Sequence, residues 1–212
     1  MPHDFAPINL THHFLIAMPG VEDEAFARSV VYLCEHSERG ALGLVINKPS
    51  ELSLKRLFER VDLPLHRDDL SDAPVFQGGP VQTERGFVLH EAVRASAAEG
   101  ADAGDGAKPD EDGEETVYAS TMTIPGGLEM TTSKDVLEAL STGAGPRRVL
   151  VSLGYSAWGE GQLESEIAEN SWLTVGADPA VIFDTPVAQR YDKALSLLGL
   201  QAWMLTSEAG HA

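Results

Sequence analysis

Apolar residues come in short runs along this chain. Most runs are β-branched or aromatic and bounded by Gly, Pro, Asn or Ser, which is the pattern of strands rather than long helices. Residues 13–18 (HFLIAM) form the first run, closed by Pro19-Gly20. Residues 30–36 (VVYLCEH) and 41–47 (ALGLVIN) flank the turn sequence Ser37-Glu38-Arg39-Gly40 and predict a β-hairpin. On its first strand Val30, Tyr32, Cys34 and His36 share one face, and Val31, Leu33 and Glu35 the other. Both faces are apolar nearly to the end, which puts the hairpin in the middle of a sheet. Lys48-Pro49 stops its second strand, because a residue before proline is held extended and proline cannot donate to the ladder. Further strands are expected at 75–77, 86–90, 117–122, 128–131, 147–153 and 172–175, with another apolar run at 181–183 and a last strand at 200–205.

Helical periodicity is scarcer. Residues 21–29 suit a single helical turn, acidic at its start. Ser53 caps a helix with Leu54, Leu57, Phe58 and Val61 on one face, the i, i+3, i+4, i+7 spacing. Thr132 or Ser133 caps a second through Val136, Leu137 and Leu140, ended by Gly143. A third follows Gly159 and packs through Leu163 and Ile167. Thr185-Pro186 opens a fourth carrying Val187, Tyr191, Ala194, Leu195 and Leu198, with Gly199 as its stop. Many hairpin-joined strands with three to four helices between them indicate an α+β fold with a mostly antiparallel sheet. A regular βαβ alternation is absent.

The 212 residues fit a single domain with one insertion. The insertion is residues 94–115, which carry eight acids against Arg94 and Lys108 and no aromatic residue. Such a stretch buries too little apolar area to offset its chain entropy, so it is read as a mobile acidic loop. The whole chain has 33 acidic against 15 basic residues, a net charge of −18. Protein–nucleic-acid affinity comes largely from neutralising phosphates, so direct nucleic-acid binding is not expected, and anionic membrane surfaces are disfavoured. No apolar run reaches a membrane-spanning length of about 18 residues. The N-terminus lacks a basic segment followed by an apolar one, and the one cysteine excludes an internal disulfide, so a cytoplasmic location is expected.

The densest cluster of unusual residues lies between 149 and 173. Gly154-Tyr155-Ser156-Ala157-Trp158-Gly159 resembles a nucleophile elbow, G-x-S-x-G, but the second glycine is displaced and Trp158 stands where the sharp turn needs a small residue. Ser156 is therefore read as a turn residue. Glu160, Glu164, Glu166 and Glu169 crowd the following helix and disfavour an anion at its start. Glu164 and Glu166 are two apart and do not face each other; Glu166 and Asn170 share a face, read as solvated. Gly78-Gly79-Pro80 lacks P-loop spacing, and its glycines are expected to permit positive φ or close backbone approach. Arg85 follows as a candidate cation. Cys34 and His36 make only two of the ligands zinc needs, and the other histidines show no ligand spacing, so no metal is expected. Cys34 is read as a buried structural thiol, with redox sensing beside His36 as the minority reading.

Several stretches together resemble the YqgE/AlgH family of small bacterial proteins: HFLIAMPG (13–20), FARSVVYLCEH (26–36), GALGLVINKP (40–49), FQGGPV (76–81), RGFVLH (85–90), LGYSAWGEGQLESEIAENSWL (153–173) and DPAVIFDTP (178–186). The resemblance covers nearly all the chain except the acidic insertion and the last few residues. It implies an α+β fold built on a barrel-like, bifurcated sheet with helices around it. It also implies a cytosolic protein without an established enzymatic activity, one member of the family being described as a regulator of alginate production. No catalytic residues and no cofactor come with it.

The expectation is thus a non-catalytic regulatory protein that binds an unknown protein partner or small ligand, affecting transcription only indirectly. The alternative is an enzyme or binder acting on a small anionic or nucleotide-like ligand, with Lys48 and Arg85 as charge clamps. The candidate site is where three strand ends would converge: Asn47 and Lys48; Gly78 and Gly79 with Arg85; and Tyr155, Trp158 and Gln162.

Overall fold

The computed structural model describes residues 9–93 and 116–205. The acidic insertion at 94–115 lies outside the described residues, as do His3 and His211. Among the described residues ten strands form one sheet: β1 (His13–Ala17), β2 (Val30–Ser37), β3 (Gly40–Val45), β4 (Pro49–Ser53), β5 (Pro74–Gln77), β6 (Val81–Glu91), β7 (Thr121–Ile124), β8 (Leu128–Thr131), β9 (Val149–Trp158) and β10 (Trp172–Gly176). The described residues also form five α-helices of five to seven residues: α1 (Leu54–Arg60), α2 (Asp135–Ser141), α3 (Gln162–Ala168), α4 (Pro179–Phe183) and α5 (Arg190–Ser196).

The main path runs β10-β1-β2-β3-β9-β6-β8-β7, and β5 joins β9 on a branch that carries β4. All pairings are antiparallel except β5 with β9. The bifurcation is at β9. Leu150–Leu153 are flanked by β6 on one side and, at Ser152 and Leu153, by β5 on the other; Ser156–Trp158 pair with β3 instead. The sheet curls into a half-barrel. Its concave side is the main core, drawing Phe14, Tyr32, Leu44, Phe76, Leu89 and Leu150 from six strands, and α4 and α5 close it with Val181, Ile182 and Leu195. Two smaller cores lie outside. One packs α3 through Leu163 against Leu15, Leu33, Trp158 and Trp172. The other packs α1 and α2 through Phe58, Val136 and Leu140 against Val75, Val88 and Val151.

The hairpin of β2 and β3 forms as expected, with Ser37 opposite Gly40. Gly40 has φ +125°, and a Cβ there would lie 2.1 Å from the Trp158 carbonyl oxygen. Ser53 caps α1 by accepting from Arg56 N. Some segments depart from the linear reading or go beyond it: the glycine-containing run at 154–158, expected to turn, is the second half of β9. The apolar run at 181–183 is helical, because Asp178 Oδ1 caps Ala180 N at 2.9 Å and Pro179 occupies the first turn. The strand expected at 117–122 starts only at Thr121, because Ser120 takes φ 49° and breaks the extended chain. The last segment is a 3-10 turn, Ala202–Leu205, rather than a strand. Leu200, Ala202 and Leu205 pack on the main core while the adjacent Trp203 and Met204 both face outward, a pattern that period-two alternation cannot satisfy.

Candidate functional site

The three strand ends meet at the backbone, and glycine is the reason. The chain leaving β5 crosses β9 at its bifurcation. There Gly78 N donates to Leu153 O, and Gly78 O accepts from Val45 N, each at 2.9 Å, and from Ser156 Oγ at 3.1 Å. A Cβ on Gly78 would lie 2.3 Å from Gly154 O, one on Gly79 would lie 2.3 Å from Tyr155 C and O, and one on Gly154 would lie 2.5 Å from Gly79 O. The two segments are in backbone contact, so side chains are excluded. Gly78 and Gly79 thus build the crossing, and Ser156, fully buried, is tied to it from within β9, opposite Gly43, and is a strand residue rather than the turn residue expected. Gln77 N bonds Lys48 O at 2.9 Å, bringing the first strand end alongside.

The side chains of the candidate residues, however, serve different parts of the surface. Asn47 staples the loop before β2, accepting from Val30 N at 2.8 Å and donating to Arg28 O at 2.9 Å. Lys48 Nζ donates to Glu24 O. Partial burial lowers its pKa, opposed by Asp23 and Glu24. Tyr155 is half-buried with its ring edge-on to Phe87, centroids 5.3 Å apart. Arg85 reaches Gln82 Oε1 at 3.4 Å and Thr132 Oγ1 at 3.3 Å, and lies over the Phe87 ring. Trp158 is buried in the α3 core, so it does not offer a contact face.

Trp158 and Gln162 belong to a closed network. Glu166 Oε2 accepts from Trp158 Nε1 at 2.9 Å and from Trp172 Nε1 at 2.7 Å, and its Oε1 accepts from Gln162 Nε2 at 3.0 Å. Gln162 Oε1 caps Gly159 N at 3.0 Å. Phe26 packs against both indoles. Glu166 therefore does not stand on a solvated face with Asn170, which has left the helix with φ 60°. Glu164 is also engaged, bonded to His36 Nε2 at 2.9 Å. Nothing in the linear pattern marks Glu166 beyond its position one helical turn from Gln162, beside two tryptophans.

A β-bulge separates Cys34 from His36. The register of β2 against β3 shifts between Leu33 and Glu35, so alternation fails at Cys34. Cys34 enters the main core. His36 turns instead to Leu10 and α3, where its Nδ1 accepts from Leu10 N at 2.9 Å, so its Nε2–H donates to Glu164. Burial, with Glu35 nearby, raises the Cys34 pKa, the direction opposite to what a reactive thiolate needs. Among the described residues no three of His, Cys, Asp and Glu gather as a metal-ligand set.

A second polar cluster sits on the other outer face. His90 is fully buried: its Nδ1 donates to Glu91 O at 2.8 Å, its Nε2 lies 2.9 Å from Thr131 Oγ1, and Tyr118 packs edge-on to the ring. Thr131 Oγ1 is also 2.7 Å from Thr121 Oγ1, and Glu129 Oε2 is 3.8 Å from His90 Nδ1. Hydroxyl, imidazole and carboxylate resemble a nucleophile with its base. Thr131 is fully buried and its hydroxyl is shared with Thr121, so the cluster is bonded within itself. Burial lowers the His90 pKa and keeps the ring neutral.

Beside this cluster lies a groove of about 210 Å³ between α1 and α2. Leu57, Val61 and Leu137 form its walls, Val88, Val151 and Leu153 its floor, and Glu84, Thr132, Ser133 and Lys134 its rim. Two features open it. Residues between Val81 and Gly86 bulge away from β9, the latter two pairing with Tyr155 and Leu153. Gly86 itself has no side chain, and a Cβ built there meets nothing within 4 Å. The bulge leaves no mark in the hydrophobic pattern, although a glycine opening an apolar strand is a usual trace of one.

The comparisons agree with this architecture. A family model described as DUF179, AlgH-like, matches residues 14–203. UPF0301 proteins of Paracidovorax citrulli and Variovorax paradoxus are 78% and 77% identical, each over 100% of both chains. The solution structure of the AlgH protein from Pseudomonas aeruginosa is 45% identical, with a TM-score of 0.69 over 98% of each chain. A crystal structure of a Corynebacterium diphtheriae protein, 21% identical with a TM-score of 0.61 over 88% of this chain and 85% of that one, shares the fold. The chain belongs to the AlgH-like, DUF179 family. Among the described residues no helix is long and apolar enough to cross a membrane.

Proposed function

We propose that this protein is a non-catalytic partner-binding protein whose docking site is the groove between α1 and α2, and that any regulatory effect is exerted through that partner. The observation that carries the reading is the groove's size and lining. At about 210 Å³ it is smaller than the roughly 300–1,000 Å³ of pockets that enclose whole small ligands. Its apolar floor and open end suit one large apolar side chain of a peptide, the anchor type that dominates protein interfaces. Burying such a side chain contributes about 1.5–3 kcal/mol. Lys134 on the rim and Arg85 beside Thr132 outnumber Glu84, in a chain of net charge −18, which favours acidic residues next to the anchor. The same net charge disfavours direct contact with DNA, so a transcriptional effect would pass through the bound partner. The competing reading used Lys48 and Arg85 as clamps on one anion; Lys48 reaches Glu24 while Arg85 reaches Thr132, which weakens it.

Selection from a displayed library of random short peptides tests the proposal. Enriched peptides should pair a large apolar residue with neighbouring acids. They should lose binding to Gly86→Leu, whose side chain fills the groove without meeting other atoms at its Cβ. No enrichment, or equal binding to a Gly86→Leu variant of unchanged melting temperature, would refute it.

A further inference from the structure

The strand end at residues 46–48 holds an arginine that the groove does not involve. Arg190, at the start of α5, is 6% exposed. Its Nε donates to Thr185 O at 3.0 Å, its Nη1 donates to Ile46 O, and its guanidinium lies over the Phe76 ring, 5.0 Å from the centroid. Among the described residues no carboxylate forms an ion pair with it. Burial alone pulls its pKa down to about 10. An unneutralised buried cation is costly, and a chain with 33 acidic residues has no shortage of partners to offer one.

A second arginine packs on the neighbouring residue of α5. Arg28 places its guanidinium over Tyr191, the residue after Arg190, 4.8 Å from the ring centroid. Its backbone takes φ 55°, uncommon for a residue with a side chain, and Asn47 Nδ2 holds its carbonyl at 2.9 Å. Lys48 adjoins, but Asp23 and Glu24 lie close to its ammonium, so the two arginines carry the local positive charge. Guanidinium forks match tetrahedral oxyanions in shape and charge.

We infer that Arg190 and Arg28 form a binding site for a phosphate-type oxyanion at the strand end occupied by Asn47. The anion supplies the countercharge that the fold withholds from Arg190, while the two carbonyl bonds and the Phe76 ring orient the guanidinium.

The test is calorimetric titration and thermal melting of the full chain with inorganic phosphate, and with acetate at matched ionic strength. Phosphate should give a saturable heat and a saturable rise in melting temperature, and acetate neither. Arg28→Gln changes an exposed side chain and should leave the unliganded melting temperature in place, yet weaken phosphate binding by about tenfold or more, the loss of one charge-assisted contact. Arg190→Lys, which keeps the charge but loses the fork, should weaken it similarly. A wholly structural Arg190 predicts lower stability in Arg190→Lys with no phosphate response in any form. That outcome, an equal response to acetate, or an Arg28→Gln protein that titrates like the parent would overturn the inference.

Discussion

Glu166 offers the most direct test of how the α3 face is held. Its substitution by alanine removes the acceptor shared by Trp158 Nε1 and Trp172 Nε1, at 2.9 and 2.7 Å. Both indoles are buried, with 5% and 4% of their surface exposed. A buried donor left without a partner costs about 1–3 kcal/mol. Glu166 itself is only half-buried, so water entering the vacated space recovers part of this, and the two donors together should cost about 2–4 kcal/mol. That is a large share of the roughly 5–15 kcal/mol that holds a domain together. For a domain of this size it corresponds to a fall in melting temperature of about 5–15 °C. Glu166→Gln retains a carbonyl oxygen for the indoles but loses the charge assistance, so it should cost about half as much. Urea unfolding followed by tryptophan emission is the appropriate assay. Two of the three tryptophans sit in this cluster, and Trp203 is 64% exposed and contributes a red-shifted background. The midpoint should fall with little change in slope. An alanine variant within about 0.5 kcal/mol of the parent, the range of an ordinary surface substitution, would refute the account of the two indoles as dependent on one carboxylate.

Two further outcomes follow from the same geometry. Gly78→Ala and Gly86→Ala are chemically identical changes with opposite surroundings: the first places a Cβ 2.3 Å from Gly154 O, the second in open space. Gly78→Ala should cost about 3 kcal/mol or more, because the obstacle is backbone, whereas Gly86→Ala should stay within about 1 kcal/mol of the parent; similar melting temperatures for the two would contradict the crossing. Stability should also decline in mild acid. Burial lowers the pKa of both His90 and His12, so below the ordinary value of 6.5 the unfolded chain takes up protons that the folded chain refuses, and stability is lost as pH falls from there through the folded values. His90→Gln should flatten the decline in melting temperature between pH 6.5 and 5 without abolishing it, since His12 remains; an unchanged slope would remove His90 from the account.

Much of the fold was legible because local chemistry and tertiary role coincide. The β2–β3 hairpin announced itself through β-branched residues on both faces and a polar turn between them. The α1 helix did so through Ser53 and the spacing of Leu54, Leu57 and Phe58. Where a residue's role depends on a distant segment, the linear pattern misled. Strict alternation put His36 with Cys34, and one extra residue in β2 sent them to different cores. The acids of α3 looked solvated because neither the tryptophans nor His36 are helical neighbours. Trp158 looked available to a partner because its burial is supplied by Phe26 and Trp172.

Hydrophobic period, caps and turn residues act over a few positions, so most of the elements and the mostly antiparallel character of the sheet were readable from the linear pattern, while the family was readable from the resemblance of whole motifs. The sequence also marked the glycines at 78 and 79 as places of special backbone. Only the tertiary structure decided what those glycines are for. They let two chain segments touch where β9 divides between β3 and β5, which makes a crossing rather than a ligand loop. It likewise decided that the opening on the surface lies between α1 and α2, and that Arg190 is buried without a carboxylate. Each of these depends on which atoms from remote parts of the chain fill the same volume, and close packing in three dimensions leaves no periodic trace in one.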